Sequence, residues 1–433
     1  MRRLFVLFFI LGLILSFSCL GMAEAPKYDL GGETITFSSY FGWDDYEDGA
    51  GKARLEEVEE MFNVNIELIN VHYSETADMI ETEVLAGDVP FHVGLWQNHW
   101  MLEWDLYDFL HDLNPVLEEE VFERFPDVGP MGREQQAMIG DSLYALNMPE
   151  AAPVQRVFWN KDLFDSEGLP DLYDLYDNDE WNWENFKQIA LDATQDKDGD
   201  GEIDQWGIAG SGFVGHGIGF PYSNDAPLIK NEDGRLVYAG NEPGFVESLE
   251  LWHELQEEGA IYEEAGVHEG SPLWLDGDVA MFIYYHTEGG TLSEIEDEFG
   301  VVPLPKGPRA EEYGAPTILM DCLVVPVTVD NPREVIEVAL ALFEYAEPYI
   351  DKEEYEEEYW NEYAVDEGYQ DMKSIEIIKE LNELATPDFT NHLGPGVAAS
   401  TIMDEVLEGN KSPQAAMDEI ADEIQSALDE SYN

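Results

Sequence analysis

The spacing of apolar residues over the first hundred positions alternates between two periods. Residues 33–40, ETITFSSY, and 64–71, VNIELINV, place β-branched and aromatic residues at every second position, which predicts two strands. Residues 52–62 and 74–86 have the spacing of amphipathic helices, the second ending at Gly87, and a third strand is predicted at 92–96. Strands separated by helices of this length predict βαβ units and a parallel sheet.

Further elements follow the same two periods. Helices are predicted at 183–194, 331–346 and 413–430, and strands at 278–285 and 322–327. The last helix is long and amphipathic, and its predicted core face consists of Ala416, Ile420, Ile424 and Leu428. No internal repeat is visible in the sequence.

One short stretch, VFWNKDLFDSEGLP at 157–170, changes abruptly from apolar to polar. Asn160 is a typical N-cap residue, Gly168 is typical of the position just past a helix, and Pro170 stops further helix. The pattern predicts a strand that leads directly into a very short helix.

The charge balance excludes some partners. The chain has 433 residues, enough for two or three domains, and it carries 94 acidic against 20 basic residues, a net charge of −74. Such a polyanion repels nucleic acid and anionic lipid, so we expect neither as a partner. Because the acids are spread along the whole chain, we interpret them as a solvated surface suited to high salt, where screening suppresses self-repulsion.

The first 25 residues have the pattern of a signal peptide. Arg2 and Arg3 precede an apolar run at 4–20, and small residues follow before Pro26. We expect an exported protein that is located in the periplasm or at the extracellular face of the membrane, with cleavage after Ala23. Lipidation of Cys19 is the alternative, because a small residue precedes it.

The two cysteines predict no internal disulfide, because Cys19 is either removed with the signal peptide or lipidated. Cys322 lies in the apolar run ILMDCLVVPV, which is typical of a small core residue. A nucleophilic role would need a histidine partner, which the sequence does not place.

The order of segments resembles the family-1 extracellular solute-binding proteins, the maltose-binding-protein-like receptors of ABC importers. The segments that carry this resemblance are LAGDVP at 85–90, 140–170, WNWENFKQIALDAT at 181–194, LDGDVAMFIYYH at 275–286, FGVVPLPKGP at 299–308 and the helix after EGNKSPQAA. The resemblance implies an α/β fold of the two-lobed periplasmic-binding-protein type (type II), each lobe a mainly parallel sheet flanked by helices, with a hinge between.

By this resemblance, lobe 1 is 28–149 plus 317–365, and lobe 2 is 150–316 plus 366–433. The strand-to-helix joint at 157–170 then lies beside the hinge, where a few residues absorb the change when the lobes close. One residue departs from the family pattern. In the family, the proline that corresponds to Pro90 is usually followed by Asp, whereas this chain has Phe91. The sequence therefore leaves open how this loop is held.

The loop TQDKDGDGEIDQWG at 194–207 is a candidate Ca²⁺ site. Its carboxylates follow the spacing of an EF-hand loop, with Glu202 offering its backbone carbonyl and Gly201 at the sharp turn, and the predicted ligands are Asp196, Asp198, Asp200, Glu202 and Asp204. Gly207 stands where an EF-hand has its bidentate Glu, so the loop is incomplete. Some receptors of the resembled family carry a similar structural calcium loop. The alternative is an acidic surface turn.

Aromatic residues mixed with hydrogen-bonding residues follow three predicted strands. Ligands of open α/β sheets bind beyond the carboxyl ends of strands, and sugars stack on aromatic rings while their hydroxyls bond to polar side chains. The candidates for stacking are Tyr40, Trp43, Trp96 and Tyr285, and those for hydroxyl bonds are Asp44, Gln97, Asn98, His286 and, next to the crossover, Glu150. Taken singly, each aromatic residue is explained equally well by packing. The glycine-rich stretch 210–222 is predicted to be a loop; it lacks the Lys and the spacing of a phosphate loop and predicts no nucleotide.

These observations favour the monomeric substrate-binding component of an ABC transporter, which closes two lobes on a sugar or oligosaccharide and delivers it to a membrane permease. No catalytic residue set is legible, so we predict no enzyme activity. A receptor for a peptide, polyamine or other cation is the alternative, because the acid-rich loops suit a cation. An exported glycosidase using paired carboxylates is the third reading, which release of sugar from chromogenic glycosides would reveal.

Overall fold

The computed structural model describes the chain between Tyr28 and Ser431 with gaps. The described residues are 28–40, 42–43, 46, 49–97, 100, 106–117, 138–139, 142–147, 154–210, 214–232, 235–262, 272–284, 292–317, 321–343, 368–388, 390, 405–406 and 409–431. The predicted signal peptide at 1–25, with Cys19, lies outside them. Among the helices in these ranges, none has the length and hydropathy that a membrane span requires.

The chain divides into two compact units. The first takes in Met1–Leu95, Leu113–Val128 and Leu323–Tyr359, and the second takes in Trp96–Asp112, Gly129–Cys322 and Trp360–Asn433. The predicted lobe limits differ most at 96–112 and 129–149, which they assign to the first lobe, and those limits stay a prediction.

The first unit contains the predicted βαβ arrangement. Strands β1 (Glu33–Ser39), β2 (Val64–Asn70) and β3 (Val93–Gln97) alternate with helices α1 (Gly49–Phe62) and α2 (Tyr73–Ala86). Both β2 and β3 pair with β1 in parallel, so this prediction is confirmed. Gly87 ends α2 in the left-handed conformation at φ 83°, as the sequence predicts.

A later segment returns to this unit. Strand β14 (Asp321–Val324) lies next to β3 in the sheet, and Cys322 is fully buried, in agreement with a core role. Helix α8 (Pro332–Phe343) is buried from Val335 onward. Arg54 of α1 donates from Nε to the carbonyl of Ala341 at 2.8 Å, which ties the two helices together.

The loop that departs from the family pattern is held by packing and two hydrogen bonds. Phe91 is 1% exposed. The backbone N–H of His92 donates to the carbonyl of Thr36 at 2.8 Å, and His92 Nδ1 accepts from the N–H of Thr36 at 3.0 Å. Burial lowers the pKa of His92, which favours the neutral ring that this acceptor role requires.

The second unit is built on a four-stranded sheet in the order β12-β7-β11-β8, formed by Phe299–Pro303, Arg156–Asn160, Val279–Tyr284 and Trp206–Gly210. Strand β8 is parallel to β11, but β7 is antiparallel to both β11 and β12. The expectation of parallel pairing therefore holds for β1 with β2 and β3 in the first unit, but this sheet is mixed and not mainly parallel. The physical reason is that strands buried on both faces are apolar throughout, and such a run carries no signal of direction.

The strand-to-helix joint has the predicted caps. Helix α3 (Lys161–Glu167) begins at Asn160, whose side chain accepts from the N–H of Leu163 at 2.8 Å, and ends at Gly168 with φ 70°. Asn160 also donates from Nδ2 to Asp297 at 2.7 Å. The fully buried Asn160 therefore fixes the joint from both sides.

The described part of the second unit contains six further α-helices. They are α4 (Leu172–Asp177), α5 (Trp183–Ala193), α6 (Phe220–Ser223), α7 (Pro243–Glu257), α9 (Met372–Glu383) and α10 (Pro413–Ser431). In α10 the predicted core residues Ala416, Ile420, Ile424 and Leu428 are all buried, which confirms that face. At the start of α9, Asp371 forms an ion pair with Lys161 of α3 and accepts a hydrogen bond from Tyr173 of α4, which ties α9 to these two helices.

Short elements complete the described chain. Three small pairings are β4 (Met138–Ile139) with β5 (Ser142–Leu143), β9 (Ile229–Glu232) with β10 (Arg235–Tyr238), and β13 (Pro316–Thr317) with β15 (Thr386–Pro387). Strand β6 is Leu146–Asn147, and 3₁₀ turns lie at Tyr107–Phe109 and Leu292–Glu294. The glycine-rich stretch, expected as a loop, instead contains a π-helix at Val214–Gly219 that runs into α6.

Candidate functional site

The first group of predicted ligand residues lies where β1 and β3 end. The two strands are parallel, with Ser39 opposite Leu95, so their carboxyl ends lie at the same edge of the sheet. Tyr40 directly follows β1, and Gln97 is the last residue of β3. Both side chains are half-buried, so part of each is open to a ligand.

Trp43 is held by its neighbours at the same end of β1. Its indole Nε1 donates to the carbonyl of Ile69 at 2.8 Å, and its ring stacks on Phe343 with centroids 6.3 Å apart and an interplanar angle of 26°. Phe37 and Tyr46 meet the ring at steep angles. The ring is half-buried, and these contacts orient it before any ligand binds.

Trp96 differs from these residues because it is a core side chain. It is 1% exposed, and Trp100 nearby in sequence is 7% exposed. Such burial is expected of a packing role, and the predicted stacking role of Trp96 stays a prediction. Five predicted ligand residues lie outside the described residues, namely Asp44, Asn98, Glu150, Tyr285 and His286.

In the second unit, three strands present their ends at one edge of the sheet. Gly210, the last residue of β8, lies next to Ile283 of β11, and Tyr284, the last residue of β11, lies opposite Arg156, the first residue of β7. The predicted ligand residues Tyr285 and His286 follow directly in sequence. The beginning of β7 therefore lies where a ligand of such a sheet is expected.

Two buried polar residues at this edge were missed by the sequence reasoning. Gln155 is 0% exposed and Arg156 is 2% exposed. The signal was present, since VQRVFW places two polar residues inside an apolar run. An apolar run predicts a buried strand as a whole, and the two polar residues within it were not considered separately.

A buried carboxylate adjoins the glycine-rich stretch. Asp388 is 2% exposed and accepts from the backbone N–H of Thr390 at 2.9 Å and from its hydroxyl at 3.0 Å. Burial raises the pKa of Asp388 to about 6, although hydrogen bonds from Thr390 and Tyr222 act in the opposite direction. The same burial, next to Asp388, raises the pKa of Tyr222.

The candidate calcium loop brings together three of its five predicted ligands. Carboxylate oxygens of Asp196, Asp198 and Asp204 all lie within 4.8 Å of one another. The turn between them uses Gly199 at φ 80° and Gly201 at φ 98°, conformations that favour glycine. Asp200 and Glu202 are exposed and lie outside this group of three.

Hydrogen bonds within the loop fix its carboxylates. Asp196 accepts from the N–H of Gly199 at 2.7 Å and of Gly201 at 2.9 Å, and Asp204 accepts from the N–H of Lys197 at 2.7 Å. The oxygens that take these bonds retain lone pairs for a cation. Three carboxylates on a tight turn supply hard oxygen ligands, which fit Ca²⁺ better than a softer metal.

The structure explains why the twelfth loop position is glycine. Gly207 is buried under α5, and a Cβ atom there would lie 2.1 Å from the carbonyl oxygen of Ala190. A glutamate at this position would clash with the helix backbone. The loop therefore cannot be closed in the way an EF-hand is closed.

The comparison with family models identifies the class of protein. The model of the bacterial extracellular solute-binding proteins matches residues 45–347, and the chain belongs to this family. The fructooligosaccharide ABC transporter substrate-binding protein FusA of Streptococcus pneumoniae is 23% identical over 334 residues, which are 68% of this chain and 59% of that protein. The chain thus matches less than two thirds of that relative's length.

Solved structures of sugar receptors have the same fold. The GacH receptor of Streptomyces glaucescens aligns with a TM-score of 0.63 at 17% identity, over 93% of this chain and 100% of that one. MalE of Xanthomonas citri aligns with a TM-score of 0.63 at 14% identity, over 92% and 98%. MalE from Bdellovibrio bacteriovorus, bound to maltotriose, gives 0.59 at 16%, over 92% and 99%. The predicted α/β fold of the type II periplasmic-binding class is confirmed.

Replacing Asp388 by Asn should remove a component of the pH dependence of stability. The folded protein holds the Asp388 proton up to about pH 6, whereas the unfolded chain releases it near 3.8, so this group favours folding at low pH and its contribution is lost as the pH rises through 6. Relative to the parent, the free energy of unfolding of Asp388→Asn should therefore rise on the order of 2 kcal/mol between pH 4 and pH 7.

Urea denaturation of both proteins across that pH range measures the difference. A constant offset between the two curves at every pH would show that Asp388 titrates normally and would contradict the prediction. Asp371→Asn is the matched control, because the pKa of Asp371 is lowered and its contribution is lost at lower pH.

Proposed function

We propose that this protein is the substrate-binding component of an ABC transporter that captures a sugar or oligosaccharide and delivers it to a membrane permease. The observation that carries the proposal is the aromatic edge of the first unit. There, Trp43 is oriented by Phe343 and keeps exposed surface beside a strand end, and its N–H is already bonded. A flat, pre-oriented ring together with half-buried Tyr40 suits a ligand with both CH faces and hydroxyls.

Family membership and relatives support a carbohydrate. One relative is named as a fructooligosaccharide receptor, and three related structures contain maltotriose, acarbose or mannotriose. Their identities of 14–23% leave the particular sugar open, so the proposal is the chemical class. The proposed ligand set contains the described residues Tyr40, Trp43, Trp96 and Gln97, with Asp44, Asn98, Glu150, Tyr285 and His286 as further members. Solute binding without catalysis is also part of this proposal.

The location follows the family, whose members are extracellular. We propose that residues 1–25 direct export and that the mature chain begins near Glu24, or at a lipidated Cys19. The intact mass of the protein exported by a bacterial host separates the two, because lipidation retains Cys19 and adds acyl chains.

A matching carbohydrate should raise the thermal stability of the protein, because it binds the folded state and not the unfolded chain. At a ligand concentration 100-fold above Kd the gain is about 2.7 kcal/mol, a shift of several degrees in Tm. A thermal-shift screen in high salt should include fructo-, malto- and manno-oligosaccharides, together with polyamines and short peptides.

The control variants locate the effect. Tyr40→Ala should lose most of the response, whereas Leu85→Ala, a change of a 77% exposed residue at the far end of α2, should keep it. A response to polyamines or peptides alone would favour the alternative receptor. No response to any carbohydrate would refute the proposal.

We further propose that the loop at 196–204 binds a structural Ca²⁺, held by Asp196, Asp198 and Asp204 and completed by Asp200 and the carbonyl of Glu202. Calorimetric titration with Ca²⁺ should give heat for the parent protein and none for Asp198→Ala. Asp192→Ala, a change of an exposed acid on α5 outside the ligand set, should bind like the parent. Equal heats for Asp198→Ala and the parent would remove the claim.

A further inference from the structure

Gln155 is a buried amide that the fold alone does not explain. Its side chain is 0% exposed, and neither Nε2 nor Oε1 has a hydrogen-bond partner among the described residues. The flanking residue Val154 and the nearby Val157 are buried apolar side chains. An amide left unpaired in such surroundings destabilises the folded state, and a leucine of similar size would avoid this cost.

Gln155 lies at the edge of the second unit's sheet where β8 and β11 end, which we call the ligand edge. Gln155 immediately precedes Arg156, which begins β7 and lies opposite Tyr284 at the carboxyl end of β11. Gly210 at the carboxyl end of β8 lies alongside Ile283 in the same sheet. The unpaired amide is thus located at the end of the sheet where strands of this fold class meet their ligands.

The amide oxygen faces the backbone of the glycine-rich stretch. A Cβ atom on Gly219 would lie 1.8 Å from Gln155 Oε1 and 2.7 Å from Cδ1 of Leu304, so glycine is needed there for the two segments to approach. Gly219 is the last residue of the π-helix Val214–Gly219. Single π-helical turns are frequent at functional sites.

Building on the proposed function, we propose that Gln155 is a further ligand-recognition residue that gains its partners when the carbohydrate binds. Its Nε2 donates to one hydroxyl oxygen of the ligand and its Oε1 accepts from a hydroxyl hydrogen. A sugar offers donor and acceptor on the same group, which matches an amide and does not match a cation. Recognition requires the Gly219 backbone to yield slightly at its contact with Oε1.

The decisive variant is Gln155→Leu, which keeps the volume and removes both hydrogen-bonding atoms. The unliganded protein should be at least as stable as the parent, while its affinity for the carbohydrate found by the thermal-shift screen should fall about tenfold or more. Calorimetric titration and urea denaturation measure the two quantities. An affinity within twofold of the parent would overturn the inference.

Gln205→Leu is the matched control. Gln205 is also 0% exposed, but its Nε2 donates to the carbonyl of Ala193 at 2.6 Å and it lies before the start of β8, at the opposite end of the sheet. This variant should lose stability and keep its affinity. If Gln155→Leu does not fold, Gln155→Met provides the same test with a more adaptable side chain.

A second cycle tests the contact between Gln155 and Gly219. Gly219→Ala should displace the Gln155 side chain and weaken binding to a similar extent, but in a Gln155→Ala background it should weaken binding little further, because the oxygen it displaces is gone. Additive losses would contradict the inference. If the parent protein binds no carbohydrate, the proposed function fails; if it binds and Gln155→Leu binds equally well, only the role of Gln155 fails.

Discussion

The structure of the second unit depends on one constraint, the burial of its central sheet on both faces. In β7, β11 and β12 every residue is buried, and in β8 only Trp206 is partly exposed. Polar chemistry can therefore occur only at the strand ends. At one end of β7, Asn160 caps α3 and binds Asp297, and at the other end Gln155 and Arg156 lie beside the carboxyl end of β11. The strand-to-helix joint at Asn160 and the polar residues Gln155 and Arg156 are thus separated by the length of β7.

Some of the few lysines each contact two acidic side chains, which reduces the repulsion within this strongly acidic protein. Lys187 forms ion pairs with Glu254 and Glu258, and Lys411 forms ion pairs with Glu405 and Glu419. Such surface pairs contribute little energy singly, but each reduces repulsion between neighbouring carboxylates. The interpretation of the surface as one suited to high salt stays a prediction.

Much of the fold was readable from the sequence because local signals set the element limits. Asn160 and Gly168 cap α3 as predicted, and β1, β2 and α10 agree with their predicted limits to within a few residues. The direction of β7 was not readable, because an apolar run has no polarity along the chain. The reason for Gly207 in the acidic loop was also hidden, because it is a contact with Ala190 that only the folded helix creates.

The candidate site was predictable only in part. The positions of Tyr40, Trp43 and Gln97 at or just after strand ends agree with the sequence, and their role in binding a ligand stays a prediction. Trp96 is a buried side chain, and its stacking role stays a prediction, since the sequence does not say whether an aromatic residue at the end of a strand points to the core or away from it. Gln155 was missed because its significance depends on Gly219, which is 64 residues away in the chain.

The central claim is that a carbohydrate binds at the strand ends of this fold, and hydrogen exchange measured with and without the tightest-binding sugar tests it directly. Slower exchange is expected in peptides covering Tyr40–Trp43, Gln97 and Val214–Gly219, with no change in Pro413–Ser431. A bound sugar that leaves exchange at the strand ends unchanged, or that protects only other segments, would contradict the account.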